Sequence, residues 1–329
     1  MRVSVIVTVL NEGDSLHRLL DSLLCQTRPP DEVVIVDGGS IDGTLAVLES
    51  YAARGALPLR VISRPGANIS QGRNTAIQAA TGEVIASTDA GVRLGPEWLA
   101  ELLAPFEGPG GEGVAAASGF FAPDPQSDFE TALGATTLPA LADIDPPRFL
   151  PSSRSVAYRK AAALAVGGYP EWLDYCEDLI FDFKLRQRYG VFPFAPRAVA
   201  HFRPRPTLRA FVGQYYRYAR GDGKAGLFFR RHLIRYLTYF VATPLLLALM
   251  GLHSPWWGLG LVAGGAAMLA TPWRRLWPLT RGWSLSRRLR ACAWAPLIRA
   301  AGDFAKMIGY PVGVWWRRRQ RGGRSWRAG

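Results

Sequence analysis

The sequence predicts an α/β protein, a mostly parallel sheet held between helices, with C-terminal helices that cross or lie on a membrane. Three observations predict it. β-Branched runs alternate with apolar residues at helical spacing through the first ninety residues. Polar turns follow three of the predicted strands. The chain then changes character after residue 200: residues 1–200 hold 16 Lys/Arg and 24 Asp/Glu, a net of −8, whereas 201–329 hold 23 basic residues and two acids, Asp222 and Asp303, a net of +21. With 329 residues, 49% hydrophobic and 20% charged, there is ample apolar material for a core, and disorder and collagen are excluded. Cys25, Cys176 and Cys292 are far apart and form no CxxC pair, which fits a reducing compartment.

The elements follow in order. Val3–Val9 is a β-branched run suited to a strand buried on both faces, broken at Asn11-Glu12-Gly13-Asp14. Leu16, Leu19, Leu20, Leu23 and Leu24 recur at helical spacing. Glu32–Val36 is a second strand, ended by Asp37-Gly38-Gly39-Ser40; helix 44–53, strand 59–62, helix 72–80 and strand 83–87 complete a βαβαβαβ order. Ligands of such sheets bind beyond the carboxyl ends of the strands, where Asn11-Glu12, Asp37–Ser40 and Thr88-Asp89-Ala90-Gly91 fall. Residues 107–150 read as Gly/Pro-rich loops with a strand at 114–121 and a short helix near 129–141. Further strands are expected at 155–158 and 198–200, and helices at 160–166 and 177–189. Residues 206–229 form a basic, aromatic amphipathic segment.

Residues 236–273 are 38 in a row without Asp, Glu, Lys or Arg. One helix of that length would overshoot a bilayer core of ~30 Å, and Gly251–Pro255 reads as a turn. Two spans follow, a hairpin over 231–275 whose arginine-flanked outer ends lie in the cytoplasm; a buried hairpin of a soluble protein is the alternative. Residues 276–329 read as a basic interfacial helix and tail, with Trp315-Trp316-Arg317-Arg318-Arg319 as an aromatic and basic anchor on an anionic membrane. Nucleic acid is not expected as a partner, since no nucleic-acid fold signature is present. No signal peptide opens the chain, because the run 3–10 is short and strand-like.

Neither GxGxxG nor a P-loop follows the first strand. In their place stands Asp37, a carboxylate able to accept hydrogen bonds from a base or ribose, followed by glycines (Gly38, Gly39) that permit close backbone approach. These segments together resemble the family 2 glycosyltransferases: Val5–Glu12, Val33–Thr44, Gln71–Ala76, Thr81-Gly82-Glu83, Asp89-Ala90-Gly91 with Pro96–Leu99, Val166–Tyr169 and Glu177-Asp178. The likeness covers residues 1–230.

The resemblance implies a GT-A nucleotide-diphospho-sugar transferase fold, with 1–106 as donor-binding half and 107–230 as acceptor and catalytic half. It implies inverting transfer from a nucleotide-diphosphate sugar, a UDP-sugar by preference, to a hydroxyl of a lipid or lipid-linked glycan at the cytoplasmic face of the cell membrane. Asp178, beside Glu177, matches the base; helix capping is the alternative for that pair. Asp37 resembles the base-reading aspartate, with Thr8, Leu10, Asn11, Glu12 and Gly39 around the nucleoside; an ordinary turn explains Asp37 as well. Arg73 suits a phosphate or base carbonyl, or a solvated surface. Thr88, Asp89, Ala90 and Gly91 stand where relatives carry Asp-x-Asp, and Gly91 replaces the second Asp. A divalent cation, Mg²⁺ or Mn²⁺, would therefore rest on Asp89 and His201, unless His201 is structural. Gln214, Arg217 and Tyr218 resemble a QxxRW segment facing acceptor and diphosphate, or else an interfacial helix. Alternatives in function are a processive polysaccharide synthase of the same fold and a non-catalytic nucleotide-sugar-binding scaffold.

Overall fold

The computed structural model describes residues 1–320, and the chain divides into two compact units. The first comprises Met1–Asp124 and Leu141–Arg203; the second comprises Pro125–Ala140 and the chain from Pro204 onward. The expected boundary at 230 thus falls inside the second unit. The expected tail at 321–329 lies outside the described residues.

The first unit is built on β1 (Val3–Val9), α1 (Ser15–Leu24), β2 (Glu32–Asp37), α2 (Thr44–Arg54), β3 (Leu59–Ser63), α3 (Ile69–Ala79) and β4 (Val84–Ser87). These follow the sequence-based expectation within a few residues, because buried β-branched strands and leucine-spaced helices are strong signals. Leu16, Leu19, Leu20 and Leu23 of α1 are buried, whereas Leu24 is exposed. Burying each of those leucines contributes roughly 1.5–3 kcal/mol. Helix α3 is set by Asn68, whose side chain accepts from the Gln71 amide while Gln71 bonds back to the Asn68 amide, a reciprocal cap.

Then come β5 (Val92–Leu94), α4 (Trp98–Glu107), β6 (Ala116–Pro123), β7 (Val156–Arg159), α6 (Lys160–Ala165), α7 (Glu177–Tyr189) and β8 (Phe194–Phe202); α5 (Asp128–Thr137) belongs to the second unit. The eight strands form one sheet in the order β3-β2-β1-β4-β7-β6-β8-β5. Pairs β1/β2, β1/β4, β2/β3 and β6/β8 are parallel, while β4/β7, β6/β7 and β5/β8 are antiparallel. The sheet is therefore mixed, with β7 and β5 running against the other six strands: past β4, the strands no longer arise from successive βαβ units. The sequence reading also missed β5 and α4, because three residues carry no period and Pro105 interrupts the helical pattern.

In the second unit the helices are α5, α8 (Leu208–Ala225), α9 (Phe229–Leu237), α10 (Thr243–Leu252), α11 (Gly258–Leu279) and α12 (Leu285–Arg319). Ala132, Leu133, Phe211 and Ile298 share a core there, with the Phe129 and Trp294 rings 5.0 Å apart. Helix α12 lies against α8 at backbone contact. A Cβ on Gly309 or Gly313 would strike the Tyr216 or Arg220 carbonyl, and one on Gly223 the Tyr310 carbonyl. The predicted interfacial helix is thus half internal. Ala291, Ala295, Ile298, Gly302, Ala305 and Gly309 are buried, and Leu297, Phe304, Ile308 and Trp315 remain exposed.

The chain turns between α10 and α11, as Gly251–Pro255 suggested. The expected two-span hairpin is supported only in part. Helix α11 carries Arg274, Arg275, Pro272 and Pro278. Among the described residues, one helix is long and apolar enough to cross a bilayer: Phe229–Leu252, 24 residues whose most apolar stretch is unburied. It runs through α9 and α10 with a π-helical turn at Thr238–Ala242.

Candidate active site

The carboxyl ends of β1, β2 and β4 bring three polar turns together. In parallel register Val9 stands opposite Asp37. The Asp37 carboxylate accepts from the amides of Gly39 (3.0 Å) and Ser40 and from the Ser40 hydroxyl (2.5 Å). Asp37 is itself buried, so its first duty is to fold its own turn, the alternative the sequence left open. Asn11 sits in the left-handed region at φ +55°, a conformation asparagine tolerates. Its amide donates to Ser40 and its side-chain oxygen accepts from the Ile41 amide. The Glu12 and Gly13 amides both donate to the Thr44 hydroxyl. The two turns are one stitched surface, with Leu10 exposed upon it.

Thr8 and Gly72 explain how Arg73 arrives there. A Cβ on Gly72 would lie 2.7 Å from Thr8 Cγ2, so the absence of a side chain lets α3 press onto β1. Arg73 is then only 3% exposed, donating to Glu177 Oε1 at 2.7 Å and Asp89 Oδ1 at 2.9 Å. Its guanidinium lies 5.1 Å from the Tyr169 ring centroid. Burial pulls the guanidinium down, and the charges of Asp89 and Glu177 outweigh it, holding the group firmly protonated. This is a structural strut between two carboxylates. The solvated reading of Arg73 is excluded.

Two distant motifs meet beside it. Asn74 accepts from the Tyr169 amide and donates to the Tyr169 carbonyl, and a Cβ on Gly168 would overlap Asn74 Oδ1. The paired glycines at 167 and 168, both at positive φ, thereby lock the loop before α7 onto α3. Helix α7 opens after Cys176, which sits at φ +66°, a strained position for a residue with a Cβ. Glu177 is buried and Asp178 half-buried on its first turn. Burial, then the charge of Asp178, pushes the Glu177 carboxyl up to about 7 against the pull of Arg73. One turn on, Asp182 is buried and its Oδ2 has no hydrogen-bond partner among the described residues. Burial, then Asp178, raises its carboxyl well above the usual range.

Asp89 is bound on its other oxygen by Arg154, Nε at 3.3 Å. Arg154 also packs over Phe202 at 4.5 Å, and its carbonyl accepts from buried Thr88. Ala90 is buried, and Gly91 has open space beside it: a Cβ there would meet only Glu12 Oε2, at 3.9 Å. His201 is elsewhere in its contacts. It pairs with Arg93 across β5/β8, and burial, then Arg93, lowers its imidazole, with Asp124 and Arg18 also acting on it. Asp89 is not among those groups, and two flanking guanidiniums oppose a cation. Among the described residues no group of three or more His, Cys, Asp or Glu converges to hold a metal. The acids beside Gly91 are Asp89 and Glu12.

Gln214, Arg217 and Tyr218 lie on α8 in the second unit, where Gln214 donates to the Tyr218 hydroxyl at 2.8 Å. Sequence reasoning missed Arg154 as a partner of Asp89, Tyr169 under Arg73, and buried Asp182. The first two contacts are made by strand pairing and a loop lock that no local pattern announces; Asp182 stood in plain view at i+4 from Asp178.

Residues 4–135 match the model for Glycosyl transferase family 2. An uncharacterized glycosyltransferase of Escherichia coli, YibD, is 31% identical over 103 residues, 31% of this chain and 29% of that one. Validoxylamine A glucosyltransferase of Streptomyces hygroscopicus subsp. limoneus is 33% identical over 109 residues, 32% of this chain and 24% of that one. The matched segment thus spans about a quarter of each relative. Among solved structures, the mannosyltransferase PcManGT of Pyrobaculum calidifontis, in complex with GDP-Man and Mn²⁺, superposes with a TM-score of 0.58 at 21% identity, covering 98% of this chain and 88% of that one. The fold is GT-A-like.

Proposed function

This chain carries a family 2 glycosyltransferase domain, and from that premise we propose that it transfers a sugar from a nucleotide-diphosphate donor, by preference a UDP-sugar, to a hydroxyl of a lipid or lipid-linked acceptor, with inversion at the anomeric carbon. The observation that carries this reading is Arg73. One buried guanidinium joins Asp89, at the end of β4, to Glu177, the residue before Asp178.

Asp178 accepts the proton of the acceptor hydroxyl as that oxygen bonds to the anomeric carbon; the bond from carbon to diphosphate breaks, and its electron pair leaves with the diphosphate. Glu177 and Arg73 fix the first turn of α7, so that Asp178 keeps its place. Arg154, backed by the Phe202 ring, offers positive charge toward the diphosphate. Asn11, Glu12, Asp37 and Gly39 form the wall on which the nucleoside rests. Asp89 and Glu12 are the residues that would hold Mg²⁺ or Mn²⁺, and such a cation supplies positive charge to the departing diphosphate. The Mn²⁺ in the Pyrobaculum complex supports this. The exposed apolar helix Phe229–Leu252 and the basic composition of the second half support attachment at the cytoplasmic face of a membrane, near a poorly soluble acceptor.

The test is transfer from a panel of radiolabelled nucleotide sugars to extracted membrane lipids, by wild type and Asp178→Asn. Transfer by wild type, lost in the variant with nucleotide binding retained, supports the assignment. Equal transfer by both removes Asp178 as the base. A second reading, a non-catalytic nucleotide-sugar-binding scaffold, is favoured by Gly91 in place of a second acid; nucleotide binding with no transfer from any donor would select it.

A further inference from the structure

The two arginines on Asp89 are not held alike. Arg73 is buried and bonds to Glu177 Oε1 at 2.7 Å as well as to Asp89 Oδ1 at 2.9 Å. Moving it would strip a buried carboxylate of its counter-charge, so it stays. Arg154 meets Asp89 Oδ2 through Nε, at 3.3 Å, longer than the roughly 2.7–2.9 Å of a close charge-assisted bond. The two side chains are 24% and 28% exposed, and a partly exposed ion pair of this kind is easily exchanged for another partner.

The Arg154 main chain, by contrast, is pinned. It lies in the turn before β7, and its carbonyl accepts at 2.9 Å from the hydroxyl of buried Thr88, the residue before Asp89. Its guanidinium stands 4.5 Å from the Phe202 ring centroid, and Nη1 donates to the Ser152 hydroxyl at 3.0 Å. The backbone thus keeps this arginine at the end of β4 while its head group can change partners. A divalent cation on Asp89 and Glu12 meets that head group. Oδ1 faces Arg73, which stays, so the cation contends with Arg154 for Oδ2. Two positive groups at one carboxylate oxygen repel each other at close range, unless an anion comes between them.

We propose that Arg154 and a divalent cation compete for Asp89, and that the donor's diphosphate resolves the competition by drawing the guanidinium onto its own oxygens. A planar guanidinium binds two phosphate oxygens in parallel, a better partner than one carboxylate oxygen at 3.3 Å. Arg154 therefore keeps Asp89 neutralised until the diphosphate arrives, and the cation binds tightly only beside it. The second half of this inference rests on the nucleotide-donor reading; the competition itself stands on Asp89, Glu12 and Arg154 alone.

The experiment titrates the full-length protein by calorimetry with Mn²⁺ alone and, separately, with UDP or GDP in the presence of EDTA. It compares wild type, Arg154→Met and Arg154→Gln with Arg93→Met, which removes a nearby guanidinium that faces Asp124 at 4.0 Å instead of Asp89. With Mn²⁺ alone, both Arg154 variants are expected to bind roughly tenfold or more tighter than wild type, a coupling of ordinary size, and Arg93→Met less than about threefold tighter. With nucleotide alone, the same two variants are expected to bind roughly tenfold more weakly, having lost the guanidinium contact. One substitution thus moves two ligands in opposite directions, which damaged folding does not do. Adding Asp89→Asn to Arg154→Met should abolish the Mn²⁺ gain. Unchanged Mn²⁺ affinity in both Arg154 variants, an equal gain in Arg93→Met, or a gain that survives Asp89→Asn overturns the competition. Tighter Mn²⁺ binding with unchanged nucleotide affinity overturns the diphosphate as the group that draws Arg154 away. If wild type binds neither nucleotide, the donor reading fails, and the Mn²⁺ titrations still decide the competition.

Discussion

Arg73 donates to Glu177 at 2.7 Å across 104 residues of sequence, and this single bond fixes the first turn of α7 against the strand end that carries Asp89. A guanidinium can hold two carboxylates at once because its donors are arranged as a planar fork. Replacing Arg73 by Met leaves Glu177 buried without its counter-charge. The expected loss is about 3–5 kcal/mol, the usual consequence of breaking a buried pair from one side. Arg73→Lys should recover less than half, since one ammonium cannot reach both acids. Urea denaturation of the two variants checks this; a loss below about 1 kcal/mol for Arg73→Met would show that the bridge is dispensable.

The same pair sets a pH dependence. The Glu177 carboxyl is raised from 4.5 to about 7 in the folded protein, so between those values the native state binds more protons than the unfolded one. Its contribution to stability is complete below pH 4.5 and is lost as pH rises through 7, at a slope of at most about 1.4 kcal/mol per unit. Asp182, also raised, acts in the same direction. Unfolding free energies measured from pH 5 to 8 should fall with pH in wild type and fall less in Glu177→Gln. A curve that climbs over this range, or an unchanged slope in the variant, contradicts the assignment.

Gly72 tests the approach of α3 to β1. An alanine there would set its Cβ 2.7 Å from Thr8 Cγ2, and overpacking of this kind costs roughly 1–3 kcal/mol. Thr8→Ser removes that methyl. The double variant should be more stable than Gly72→Ala alone, with a coupling of about 1 kcal/mol or more in a double-mutant cycle. Additive losses in thermal melts would mean that the clash is absorbed elsewhere.

How much of this was legible in the chain depends on distance along it. The β1–α1–β2 run was readable because Val3–Val9 and the spaced leucines carry their periods locally, and Asn11, Asp37 and Asp89 were found because each ends a readable strand. The mixed half of the sheet was not. Strands β6, β7 and β8 pair across insertions that no period encodes, so Arg154 and its contact with Asp89 stayed hidden. Arg73 was singled out by its place at the head of a helix, but its burial was not readable, because it follows from the close approach of Gly72 to Thr8 that draws the side chain inward to Glu177. In the second half, composition identified apolar helices yet could not reveal that glycines at 309 and 313 turn one face of α12 against α8.

Gly91 offers the sharpest test of how the site holds charge. Asp89 keeps its oxygens on Arg73 and Arg154, and the carboxylate nearest Gly91 belongs to Glu12, 3.9 Å from where a Cβ would stand. Nothing else lies within 4 Å of that point, and Gly91 does not have a positive φ, so an aspartate fits without strain. Gly91→Asp would set a third oxygen-bearing side chain beside Asp89 and Glu12, and hard divalent cations gain affinity with each added carboxylate. Isothermal titration with Mn²⁺ should therefore show binding at least tenfold tighter in Gly91→Asp than in wild type, and Glu12→Gln in that background should reverse most of the gain. Glu12 is the discriminating residue. If Gly91→Asp tightens Mn²⁺ binding and Glu12→Gln leaves it unchanged, the cation rests on Asp89 and the new acid alone, and Glu12 serves only its turn. If Gly91→Asp has no effect, the two arginines on Asp89 already supply the positive charge that a cation would bring.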